Sequence, residues 1–275
     1  EREHMIVRQT AVAPAAGVPS AWLAFLTHIC KGDDSLLAYM QRWCGYLISG
    51  DASEECLLFC YGPAQRGKSK FVGALREMLG TYAVSAGMDT FTESRMERHS
   101  EELASLAGAR MIVASETEAG RRWNESRIKA LTGRDVIRAR MLNENSFEFR
   151  LGKIVIAGNH APALKNVDDT FRRRLHILEF SNPVPDDQVD RRLDEKLRAE
   201  YPQILQWCIT GCLMWQEAGL GKPEQITDAV NQYLESEDTL AEWLESNTQV
   251  DAVARTASGD LYADYRRWAE GAGEF

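Results

Sequence analysis

Between residues 56 and 79 an apolar run, a glycine-bounded loop and a helix-patterned segment follow one another, and the loop reads Gly62-Pro63-Ala64-Gln65-Arg66-Gly67-Lys68-Ser69. A glycine, four residues and then Gly-Lys-Ser, set between a strand (Cys56 to Tyr61) and a helix (Lys70 to Leu79), is the pattern that wraps a phosphate chain. Backbone N–H groups turned inward make a nest for α- and β-phosphates, and the helix N-terminus adds its partial positive charge. Lys68 then offers a flexible point charge to the β- and γ-phosphates, and the Ser69 hydroxyl a ligand for Mg²⁺. A plain glycine turn explains Gly62 and Gly67 through their backbone freedom, but leaves Lys-Ser at the helix start unexplained.

Short apolar runs alternate with helix-patterned stretches on the C-terminal side of the loop. Tyr82 to Ser85, Arg110 to Ser115, Lys153 to Gly158 and Leu175 to Phe180 read as strands, and Glu101 to Leu106 and Ser126 to Leu131 as helices. Such alternation predicts an α/β fold whose mostly parallel sheet is covered on both faces. Residues 1–52 read as an extended lead-in, expected to continue from something upstream, and a small helical subdomain. One of its helices is N-capped by Ser20 and the other spans Ser35 to Ile48. Residues 53–183 form the core and residues 184–275 a helical C-terminal region. The latter holds an amphipathic segment through Leu197, then Tyr201 to Leu220, and Gln225 to Leu244 with a break near Ser236. A last helix, Leu261 to Ala269, has Tyr262, Tyr265 and Trp268 spaced to pack on one side, which suggests the start of a further small domain.

In open α/β sheets ligands gather at the carboxyl ends of strands, and the polar residues of interest fall there. Glu116 and Glu118 follow the strand ending at Ser115 and project to one side if it continues. ATP hydrolysis needs a carboxylate-organised Mg²⁺ and a polarised water. Glu116 is the candidate for orienting that water and a metal ligand, and Glu118 a helper to the metal or a helix-capping acid. Asn159, after the strand 153–158, offers an amide to the water or the γ-phosphate, and equally suits a turn. Of the consecutive Arg172, Arg173 and Arg174, not all can face one surface. At least one is structural, and the others are placed to neutralise a neighbouring subunit's γ-phosphate, which requires an oligomer. A stretch rich in arginine and lysine, with Arg121, Arg122, Arg127, Lys129, Arg134, Arg138 and Arg140, leads into a hairpin around Asn143-Glu144-Asn145. It suits a nucleic-acid backbone, or ion pairs with acidic parts of the chain or across a subunit boundary.

Charge narrows the options. With 41 acidic and 32 basic residues the net charge is −9, and residues 181–275 hold 19 of the acids and 8 of the bases. An indiscriminately basic nucleic-acid coat is excluded, so any contact with nucleic acid must come from local patches. The six cysteines, Cys30, Cys44, Cys56, Cys60, Cys208 and Cys212, sit in apolar contexts as reduced thiols, not as a zinc knuckle. No signal-peptide pattern and no bilayer-length apolar run are present, so the expectation is cytoplasmic residence, in a bacterial or phage-infected host cell, with no membrane partner.

Taken together, Thr10-Ala11-Val12-Ala13-Pro14, the loop Gly62 to Ser69, Val113-Ala114-Ser115-Glu116-Thr117-Glu118, Ile128 to Asp135, Ile156 to Pro162 and Phe171 to Leu175 resemble a superfamily 3 helicase domain of the phage and plasmid primase-helicase type. The resemblance implies an AAA+-like P-loop NTPase with a five-stranded parallel sheet, assembled as a hexameric ring that encircles and pulls single-stranded or forked DNA in phage, prophage or plasmid replication. It places catalytic duty on Lys68, Ser69 and Glu116, a sensor role on Asn159 and a finger role within Arg173-Arg174. The segment around Lys129 and the hairpin after it fall to the central channel, and a primase module or other replication protein is the implied partner. Two departures stand out: Gln65 and Arg66 where relatives often have glycine and asparagine, and Thr132-Gly133-Arg134-Asp135 where they tend to read Thr-Gly-Gly-Asp. The competing reading is an origin-binding, loader or scaffold ATPase whose nucleotide controls assembly without unwinding.

Overall fold

The computed structural model describes residues 7–93, 100–115, 120–164, 168–237, 239–249, 251 and 253–272. Its centre is a sheet of β1 (Leu57–Tyr61), β2 (Ala83–Ser85), β3 (Met111–Ser115), β6 (Lys153–Gly158) and β7 (Leu175–Glu179). The order is β2-β3-β6-β1-β7 and every neighbouring pair is parallel. β4 (Ile137–Ala139) and β5 (Phe147–Phe149) pair separately as an antiparallel hairpin. β6 is buried along its whole length and β1 and β3 along nearly all of theirs, as their unbroken apolar runs require when helices cover both faces. Tyr61 lies opposite Gly158 and Glu179, and Ser115 opposite Ala157, so the carboxyl ends of four strands share one rim. This is the AAA+-like P-loop arrangement, with helical regions on either side of the sheet in sequence.

The helices are α1 (Ser20–Ile29), α2 (Asp34–Ile48), α3 (Lys68–Leu79), α4 (Ser100–Ser105), α5 (Glu125–Thr132), α6 (Asp169–Arg174), α7 (Leu193–Ala199), α8 (Tyr201–Ala218), α9 (Glu224–Ser236), α10 (Thr239–Asn247) and α11 (Ser258–Ala272). α2 starts where Asp33 accepts the Ser35 and Leu36 N–H groups. α1 is capped differently: Ser20 is its first helical residue, and the N–H groups of Ala21 and Trp22 donate to the Glu200 carboxylate at 2.9 and 3.0 Å. An acid 180 residues away thus does the work expected of Ser20, whose own hydroxyl donates to the same carboxylate. α2 and α8 pack almost backbone to backbone. A Cβ on Gly45 would stand 2.0 Å from the Cys212 nitrogen, and one on Gly211 2.0 Å from the Gln41 carbonyl oxygen. Trp22 stacks on Phe71 of α3, joining the N-terminal helices to the core. The lead-in is held along the end of α3, with Ala11 N–H donating to the Met78 carbonyl and Arg8 to the Thr81 and Ala107 carbonyls.

The chain divides into two compact units, Glu1–Val230 and Asn231–Phe275, the division falling within α9. In the second unit Trp243 is buried, meets the Tyr265 ring edge-on at 5.6 Å and donates its indole N–H to Asp264. Tyr265 stacks with Trp268, whereas Tyr262, expected on the same packed side, is exposed. The helix break expected near Ser236 is present between α9 and α10. All six cysteines are free thiols, five of them buried. Among the described residues no helix is long and apolar enough to cross a membrane.

Candidate nucleotide site

The loop Gly62 to Gly67 joins β1 to α3 at the carboxyl rim of the sheet. Gly62 (φ 142°), Gln65 (φ 60°) and Gly67 (φ 95°) all lie at positive φ. For Gly62 this goes with a close approach: a Cβ there would sit 2.5 Å from the Phe180 carbonyl oxygen, and Phe180 N–H in turn donates to the Tyr61 carbonyl at 2.7 Å. Gln65 holds a left-handed conformation without being glycine, a local strain of about 1 kcal/mol. Such turns direct N–H groups into a concavity, and Gly67 stands at the N-cap of α3, whose free N–H groups open to the same side. The backbone therefore suits a phosphate chain. Pro63, Ala64, Gln65 and Ser69 are exposed, and Arg66 and Gly67 half-buried.

Lys68 is buried, and its ammonium donates to the carbonyls of Gly62 at 2.5 Å and Pro63 at 2.6 Å. Burial holds its pKa below the usual lysine range, and the Arg66 charge pushes the same way. A bound anion beside it would oppose both effects by favouring the ammonium. Arg66 Nε is itself buried with no hydrogen-bond partner among the described residues. Phe25 and Phe180 lie against Gly67, closing the loop's apolar side. The sequence reading did not single out either ring.

Asn159 follows β6, whose last residue pairs with Tyr61, so it leaves the sheet beside the loop and is exposed. Glu116 and Glu118 lie outside the described residues. β3 ends at Ser115 on the same rim. The arginine run is at the other end of the strands, since Leu175 pairs with Leu57 at the amino end of β1. Arg172 and Arg173 are exposed, and Arg173 Nε donates to the Asp169 carbonyl at 3.3 Å. Arg174 is drawn inward and bonds Glu55 at 2.9 Å. Among the described residues, Arg174 is the one of the three held by an ion pair within its own chain.

Much of the basic stretch is spent within the chain. Arg121 pairs with Asp89. Lys129 pairs with Asp168, which also caps α6 through the Phe171 N–H and whose carboxyl is held below its usual range, first by Lys129. Arg134 faces Glu55 at 3.8 Å. Arg138 reaches across the hairpin to the Ser146 hydroxyl, beside a cleft of about 530 Å³ that Arg140 also lines. Glu55 and Asp168 escaped the sequence reading. Asp168, three residues before the buried Phe171, had the signal of an N-cap, whereas nothing local to Glu55 marks its two arginine partners.

A family model described as a family of unknown function (DUF5906) matches residues 60–174, the span from the end of β1 to the arginine run. The protein named "Putative helicase 022R" of Frog virus 3 (isolate Goorha) is 22% identical over 269 residues, covering 90% of this chain. "Putative helicase L207/L206" of Acanthamoeba polyphaga mimivirus is 26% identical over 260 residues, covering 86%. The chain spans 27% of the length of each. Among solved structures, the C-terminal region of NrS-1 shares the fold with TM-scores of 0.64 and 0.65 in two forms, at 13% and 12% identity; the matches cover 86% and 85% of this chain and 58% and 56% of those. The chain is thus similar in sequence to two viral proteins named as putative helicases and shares its fold with the C-terminal region of NrS-1.

Proposed function

We propose that this chain is the ATP-hydrolysing motor domain of a ring-forming DNA helicase that serves viral, phage or plasmid replication. The observation that carries the proposal is the division of charge between the two ends of β1. The phosphate-suited loop with Lys68 lies at its carboxyl end and the exposed Arg173 beyond its amino end. At about 3.3 Å per residue a five-residue strand keeps the two on the order of 15 Å apart, too far for one protomer's arginine to reach its own phosphates. Arg173 then serves a neighbour's nucleotide, as repeated head-to-tail contacts in a closed ring, here a hexamer, allow. Names of the two viral relatives point to the same class of work.

In this reading Gly62 to Ser69 wrap the triphosphate and Lys68 exchanges its carbonyl partners for phosphate oxygens. Ser69 and Glu116, aided by Glu118, would hold Mg²⁺, which neutralises charge on the phosphates. Glu116 takes the proton of the attacking water, and Asn159 orients that water. Channel loops that include the β4–β5 hairpin carry the resulting movement to DNA, with a primase module as a neighbour in the full protein.

The test is strand displacement on forked DNA with ATP, run beside ATP hydrolysis with and without single-stranded DNA. DNA-stimulated hydrolysis with displacement is expected, both lost in Glu116→Gln, which still binds ATP. Hydrolysis by assembled rings without displacement would overturn unwinding in favour of a loader or scaffold ATPase.

A further inference from the structure

We infer that Glu55 is a positioning residue for the arginine run, fixing Arg174 so that Arg173 is presented at the protomer boundary; this rests on the trans-acting role proposed above. Glu55 lies two residues before β1 at φ 48°, a conformation that costs a residue with a Cβ about 1 kcal/mol. Its carboxylate accepts from Arg174 at 2.9 Å and faces the Arg134 guanidinium at 3.8 Å. The Arg174 side chain is only 17% exposed, and its Nε is buried with no hydrogen-bond partner among the described residues. The guanidinium is therefore largely withdrawn from water beside Glu55, the one carboxylate it pairs with among the described residues, and loss of that carboxylate leaves a half-buried charge without this compensation.

α6 has six residues, too few to hold its own geometry. It is pinned at both ends: Asp168, paired with Lys129, caps its start, and Glu55 grips Arg174 at its end. Arg173, one residue before that grip, has one weak bond to a backbone carbonyl and takes its direction from the α6 frame. Arg134, standing where the resembling domains tend to have glycine, adds a second cation to the same carboxylate and bonds the Ser53 carbonyl. Glu55 thereby ties the turn after α5 to the arginine run.

The experiment uses mixed protomers and reads ATP turnover. Glu55→Gln alone is expected to lower kcat at least about tenfold with the KM for ATP within about twofold, because a misplaced transition-state group costs rate more than binding. Mixed with Lys68→Ala protomers, whose Glu55 and arginines are intact, it should regain turnover at about a quarter of the sites at equal ratio, those where a Glu55→Gln loop meets a Lys68→Ala neighbour. A Glu55 that serves only its own loop through β1, or only the folding of its own chain, gives no rescue. Glu55→Asp, which keeps the charge and shortens the reach, repeats the assay should Glu55→Gln not fold. Wild-type turnover in Glu55→Gln overturns the inference. So does failure of both variants to be rescued while Arg173→Ala is rescued by Lys68→Ala, which leaves the trans role standing. If Arg173→Ala is not rescued either, the trans role falls and this inference with it.

Discussion

His176 shows how one buried side chain sets a pH limit. It sits within β7, its Nδ1 shares a hydrogen bond with the Tyr39 hydroxyl at 2.6 Å, and burial, with a smaller push from Lys222, lowers its pKa from 6.5 to about 3. The folded chain keeps the ring neutral while the unfolded chain protonates it below about pH 6.5. The stability this represents is complete above pH 6.5 and is lost as pH falls toward 3, an amount on the order of 5 kcal/mol. Urea unfolding of His176→Gln should therefore show a flatter acid limb than the wild type between pH 6.5 and 3. Parallel limbs for the two proteins would remove His176 as the cause. At the loop, Lys68 and Gly62 are defined by their surroundings as much as by the motif. The same eight residues could be read from sequence, but not the Phe180 carbonyl that demands Gly62 or the carbonyls that hold Lys68.

At the scale of elements, the expected strands all appear, β6 with its expected ends, because unbroken apolar runs between turn signals have few other uses. Helix starts were less legible. α3 begins at Lys68, two residues earlier than its apolar pattern, since Gly67 at positive φ allows the loop to enter the helix directly. α1 depends on Glu200, which no window around Ser20 contains. Glu200→Ala should cost about 1 to 2 kcal/mol by leaving two helix-end N–H groups without their acceptor. Chemical denaturation measures it: a lower midpoint at unchanged slope is expected, and an unchanged midpoint would show that the cap contributes nothing. The basic stretch was legible as charge but not as pairing. Asp89, Asp168 and Glu55, which neutralise Arg121, Lys129, Arg134 and Arg174, come from other segments.

For the whole molecule, the parallel sheet sets the loop and the arginine run at opposite ends of β1, and the proposed shared site needs assembly to bring such ends together. Mixing Arg173→Ala with Lys68→Ala protomers should return turnover that neither has alone, through sites combining an intact loop with an intact arginine. No activity at any ratio would contradict a shared site. The hexamer, the DNA channel and the primase neighbour were all read from the resemblance, since a single chain's periodicity carries no record of its neighbours. All of this presumes that Lys68 serves a hydrolysed nucleotide. The most direct measurement is steady-state ATP hydrolysis, with Mg²⁺ and single-stranded DNA, by wild-type and Lys68→Ala proteins matched for thermal melting. The account predicts turnover in the wild type and a loss of at least about a hundredfold in the variant, and equal turnover in the two would contradict it.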